Sequence, residues 1–128
     1  MRSSTLLADN VESSVDALEP MFMDALKRLS FGIKIIRVDV NMQIGQTPHG
    51  PMPMVACIYT AKGRLIGPEH DPAQITMIPQ YVRDQEFIDE QIEQGCKALR
   101  DAIAMQLVAG NGKLDLNNLD LKQFGDNS

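Results

Sequence analysis

A chain of 128 residues, 44% hydrophobic and 23% charged, suits one domain with its own core and is too apolar for wholesale disorder. Its formal net charge of −5 argues against nucleic acid as a partner, because phosphate binding needs concentrated Lys and Arg. No stretch is long and apolar enough for a membrane span or a signal peptide, and Cys57 and Cys96 lack metal-ligand spacing, so a reducing cytoplasm and no cofactor are expected.

Residues 1–9 read as a loose N-terminal arm, with Asp9 or Asn10 capping the helix that follows and Glu12 completing a capping box. Val11, Val15, Leu18, Phe22, Ala25, Leu26 and Leu29 then fall on one helical stripe. Pro20 interrupts that helix on its polar side, where water can satisfy the freed carbonyl, so a kinked helix or two collinear helices are expected. Gly32 is a suitable stop.

From Ile36 to Ile44 apolar and polar residues alternate, the pattern of a strand with one buried and one wet face. The segment Gly45 to Met54, GQTPHGPMPM, reads as a stiff proline-bearing loop. Val55–Thr60 is apolar on both faces and suits a central strand. Ala61-Lys62-Gly63 reads as a hairpin turn leading to a third strand over Arg64–Gly67, and Ile75–Ile78 as a short fourth strand stopped by Pro79. The last large element runs from Asp84 to Ala109, with Ile88, Ile92, Cys96, Leu99, Ile103 and Leu107 in one stripe that also holds Gly95 and Ala102, and Gly110 to end it. Residues 111–128 form a tail in which Leu114-Asp115-Leu116 and Leu119-Asp120-Leu121 flank Asn117-Asn118, a hairpin pattern that also suits an acidic tail without fixed structure.

The expected fold class is therefore α+β: an N-terminal helix, an antiparallel three- or four-stranded meander, a long C-terminal helix and a short tail, with residues 10–110 forming one domain and both helices on one face of the sheet. In a four-stranded meander the first and third connections share an end. His49, Pro51, Met52 and Met54 would then lie near Glu69, His70 and Asp71. Three uses of that end remain open beside plain surface loops: a contact surface for a protein or another subunit, a lid over a small ligand, or a metal or acid–base centre. Cys57 and Cys96 read as packed thiols, because neither sits at a helix N-terminus.

The order of elements also occurs in double-stranded-RNA-binding domains, but Asp84, Glu86, Asp89, Glu90 and Glu93 at the start of the last helix would repel phosphates. Without a phosphate loop, nucleophile elbow or dinucleotide fingerprint, the preferred function is a non-catalytic binding or regulatory protein. It would act as a homo-oligomer on a protein or small-molecule partner, and inhibitory proteins of mobile elements share this profile. A structural subunit of a ring or shell, and an enzyme using the two loop histidines, are the alternatives.

Overall fold

Helix α1 spans Arg2–Leu29, so the helix begins before the expected cap at Asp9. The computed structural model describes the backbone of residues 2–109 and the side chains of residues 14–108. The tail of residues 111–128 and its hairpin pattern lie outside the described residues. Pro20 is exposed within α1, and the helix continues through it. Leu18, Phe22, Ala25 and Leu26 form the buried stripe. The helix stops where Phe31 and Gly32 take φ of 54° and 82°, and the chain enters β1 (Ile35–Thr47).

β1 pairs antiparallel with β2 (Gly50–Ala61), and β2 pairs antiparallel with β3 (Ala73–Pro79). Among the described residues the sheet has three strands in the order β1-β2-β3, and α2 (Gln85–Ala109) completes an α+β fold. α1, β2 and α2 run toward one end of the molecule, here the base, and β1 and β3 run away from it.

The central strand divides its residues by parity. Val55, Cys57, Tyr59 and Ala61 are buried in the core with Leu18, Phe22, Ile78, Ile88, Ile92, Cys96 and Leu99. Val38, Val40 and Met42 lie opposite Tyr59, Cys57 and Val55, so they share the helix-covered face. α2 is capped by Asp84, whose Oδ1 accepts from the Glu86 N–H at 3.0 Å. The two helices are tied across their surface by Arg28, which bonds Asp24 at 2.9 Å and Asp89 at 2.7 Å, and by Gln85, which donates to the Met21 carbonyl at 3.0 Å. The Arg28 guanidinium holds the Asp89 carboxyl below its usual range. As an exposed, solvent-screened pair it adds little to stability.

Two expectations about the strands also change. GQTPHGPMPM is not a loop: β1 continues to Thr47, β2 starts at Gly50, and only Pro48 and His49 form the turn. Arg64–Gly67 is not a strand of the sheet but part of an eleven-residue connection, Lys62–Pro72, in which Leu65 makes a single β-bridge and Pro68–His70 a 3-10 turn. The chain leaves the sheet after Ala61 because the strand-end backbone is already paired: Ala61 N–H donates to the Pro72 carbonyl at 2.9 Å and Lys62 N–H to the Lys34 carbonyl at 2.8 Å.

Candidate functional site

The expected site residues separate into two groups. β2 has its hairpin turn at one end and the Lys62–Pro72 connection at the other, about 40 Å away at roughly 3.3 Å per residue. His49, Pro51, Met52 and Met54 are at the hairpin end, and Glu69, His70 and Asp71 are at the base. The two histidines therefore do not share a site, because the strand expected over Arg64–Gly67 does not form and the second connection spans the base.

The hairpin end is an arm. The pairs Ile44↔Pro53, Gly45↔Met52, Gln46↔Pro51 and Thr47↔Gly50 lie beyond Met54↔Pro79, the last pair between β2 and β3. Four pairs project about 13 Å as a two-stranded ribbon. Pro48 fixes the first corner of the turn, and Gly50, at φ 104°, occupies the left-handed region that closes it. The Thr47 hydroxyl locks the turn, donating to the Gly50 carbonyl at 2.7 Å and accepting from the His49 N–H at 3.1 Å.

The prolines have positional meaning. Residues flanking a two-residue hairpin turn form a hydrogen-bonded pair, and the pair types alternate from there. Even-numbered residues of β2 therefore aim their backbone at β1 and odd-numbered ones at the opposite side, as the bonds of Lys62 and Ala61 confirm. Pro51 and Pro53 are odd-numbered, so their missing N–H groups lie on the edge away from β1, where β3 has already ended.

The sheet face turned away from the helices carries Met52, Met54, Ala56 and Ile58 from β2 and Ile75, Met77 and Pro79 from β3, with Asp39, Asn41 and Gln43 as a polar ladder on β1. Asn41 donates to Asp39 at 2.9 Å and Gln43 to Asn41 at 3.1 Å. No described element packs on this face, and Ile75 is 43% exposed on it. Gly45 is part of it: a Cβ there would meet the Met54 sulfur at 2.1 Å, so the thioether lies directly over the glycine.

The base group is tied to its surroundings by hydrogen bonds to backbone groups. Asp71 Oδ1 accepts from the Gly63 N–H at 2.8 Å. Gln106, on α2, accepts from the Arg64 N–H at 2.6 Å and the Leu65 N–H at 3.2 Å, and donates its amide N–H to the His70 carbonyl. His70 is thus held through its backbone carbonyl, and its ring nitrogen lies 3.4 Å from exposed Glu69. Sequence reading missed Gln106, which lies between Met105 and Leu107 without any periodic signal. Among the described residues no cluster of three or more His, Cys, Asp or Glu side chains is placed to hold a metal ion.

Two recesses flank the sheet. An apolar groove of about 700 Å³ runs between α1 and the start of β1, lined by Pro20, Met23, Leu26, Ile33, Ile35 and Val38. A polar slot of about 300 Å³ lies between β3 and α2, with Gln74, Gln91 and Gln94 around it.

Cys57 and Cys96 are buried free thiols. Burial pushes Cys57 up to about 12 and Cys96 to about 11, and it pushes Tyr59 up to about 12. The folded chain therefore keeps protons that the unfolded chain releases, from about pH 8.5 for a thiol and about pH 10 for a phenol. Stability from these groups is complete below about pH 8.5 and falls as pH rises through 9 to 12. The urea midpoint is expected to be lower at pH 10.5 than at pH 8, and Cys57→Val to flatten that slope. An unchanged midpoint would mean that the thiols are solvated in the folded state.

Comparison of the chain with protein-family models, with curated proteins and with solved structures gave no match.

Proposed function

We propose that this is a non-catalytic, regulatory binding protein that engages a protein partner through the methionine-bearing face of its sheet. The observation that carries this reading is the contrast between the two faces. One is buried under α1 and α2; the other presents Met52, Met54, Ile58, Ile75 and Met77 with no described element over it. Contiguous apolar surface of this kind marks interaction sites, and Met side chains adapt to the shape of a partner. The Asp39-Asn41-Gln43 ladder along one side gives polar contacts that fix orientation. The acidic balance opposes nucleic acid, and two buried free thiols suit the cytoplasm.

A photo-crosslinking residue at Ile75 is expected to trap one discrete protein in the source cells, and the same residue at Lys97, exposed on α2, is expected to trap none. Met54→Lys is expected to weaken that capture at least tenfold without changing the melting temperature. Equal capture from both positions, or capture indifferent to Met54→Lys, would overturn the reading.

A further inference from the structure

We propose that two copies of this chain join edge to edge through β1, antiparallel about a two-fold axis at Met42, to form one six-stranded sheet. The backbone supplies the first reason. Odd-numbered residues of β1 from Arg37 onward pair with β2, so Val38, Val40, Met42, Ile44 and Gln46 aim their N–H and C=O groups at the free edge. No described residue pairs with those groups. The sheet's other edge is guarded by Pro51, Pro53 and Pro79, whereas β1 contains no proline over its thirteen residues. Unpaired edges invite strand addition, and this one is left open.

Its limits fix the register. The irregularity between Ile35 and Arg37 ends the regular edge at one side and the Pro48 turn ends it at the other, so Val38–Gln46 is the pairable stretch and Met42 is its midpoint. A two-fold axis there faces Met42 with its own copy, Val40 with Ile44, Val38 with Gln46 and Asn41 with Gln43. On one face the apolar pairs Met42 with Met42 and Val40 with Ile44 meet, flanked by Val38 with Gln46, and on the other face the amides of Asn41 and Gln43 meet. Axes at Arg37 or Asp39 would set like charges opposite each other. The Met42 axis sets Arg37 against Thr47 and Asp39 against Gly45.

The second copy also supplies what each arm lacks. Ile44 is 63% exposed because the arm extends beyond the helices of its own subunit. Across the seam it reaches Val40, beside the mouth of the groove formed by Leu26, Ile33, Ile35 and Val38. Nine paired residues make a seam about 30 Å long, and the strand and helix layers together are about 20 Å deep. That footprint, about 600 Å², approaches the roughly 800 Å² per partner of a stable interface.

The test is sedimentation equilibrium of the full chain, together with two sets of variants. Wild type is expected to sediment at twice the chain mass. Ile44→Lys, at a position exposed in the single chain, is expected to sediment at the single mass with an unchanged circular dichroism spectrum. Asn41→Cys mixed with Gln43→Cys should give a disulfide-linked dimer under mild oxidation, and neither variant alone should, since Cys57 and Cys96 are buried. A single-chain mass at every concentration would overturn the proposal and leave the edge to an extended segment of another protein. A dimer that survives Ile44→Lys, or cross-linking no better in the mixture, would overturn it too. Met54→Lys probes the open face and Ile44→Lys probes this edge, so the two proposals fail separately.

Discussion

Gly95→Ala is expected to destabilise the protein by about 2 kcal/mol, although the same change in an unencumbered helix interior would stabilise it by about 1 kcal/mol. Gly95 is buried on α2 where the helix crosses the sheet, and a Cβ there would lie 1.8 Å from the Tyr59 hydroxyl and 3.0 Å from its ring carbon Cζ. Tyr59 cannot easily retreat. It is fully buried, and its hydroxyl is 2.8 Å from that of Thr76, itself 7% exposed. Movement of the phenol would separate a buried polar pair as well as disturb packing. Tyr59→Phe alone is expected to cost about 1–2 kcal/mol, because the Thr76 hydroxyl loses its partner. In the Tyr59→Phe background the clashing atom is gone, so adding Gly95→Ala is expected to cost less than about 1 kcal/mol. Urea unfolding of the four proteins measures this coupling. Additive costs, or a stabilising Gly95→Ala in the wild-type background, would show that the helix does not rest on the Tyr59 hydroxyl.

Gly95 also illustrates what the sequence made legible. Its place on the apolar stripe of α2 indicated close approach by a neighbour, but not that a tyrosine hydroxyl fills the space. The two helices, the alternating strand and the central strand could be read because periodicity reports which face is buried. The arm was misread because three prolines in six residues, Pro48 to Pro53, suggested a loop. Proline rules out a strand only where its N–H would be needed, and Pro51 and Pro53 both fall where it is not. That distinction depends on pairing register, which composition does not carry. The expected strand over Arg64–Gly67 failed for a different reason. Local pattern permits it, but the backbone at Ala61 and Lys62 is already engaged by Pro72 and Lys34, so the segment cannot fold back onto the end of β2, and only Leu65 makes a β-bridge.

The same register logic revises the candidate site. His49 and His70 were grouped by counting strands, and one strand fewer reverses the parity of the connections. Met52 and Met54, read as loop residues, lie instead on the outward sheet face, because the alternation of β2 runs on to the hairpin turn and does not depend on strand number. The polar counterpart, the Asp39-Asn41-Gln43 ladder, was visible in the alternation of β1 but was read only as a wet face.

Gln106→Met is expected to release the Lys62–Pro72 connection while leaving the sheet intact, at a cost of about 2–3 kcal/mol. One side chain from α2 ties this connection at three backbone groups. Its carbonyl oxygen accepts from Arg64 and Leu65, and its amide N–H donates to His70. Methionine preserves length and much of the volume but makes none of these bonds. Amide exchange at Arg64 and Leu65 is expected to accelerate at least tenfold, while exchange in β2 keeps its wild-type protection. Gln106→Glu separates the two halves of the clamp. The carboxylate still accepts from both N–H groups but sets negative charge against the His70 carbonyl. Once protonated it regains a donor, so this variant is expected to approach wild-type protection as pH falls below about 4.3. The sign follows from the folded state holding the proton more tightly than the unfolded chain does, so the gain appears on acidification and is lost as pH rises. Exchange at Arg64 and Leu65 that is unchanged in Gln106→Met, or insensitive to pH in Gln106→Glu, would mean that Asp71 and the backbone hold the base without α2.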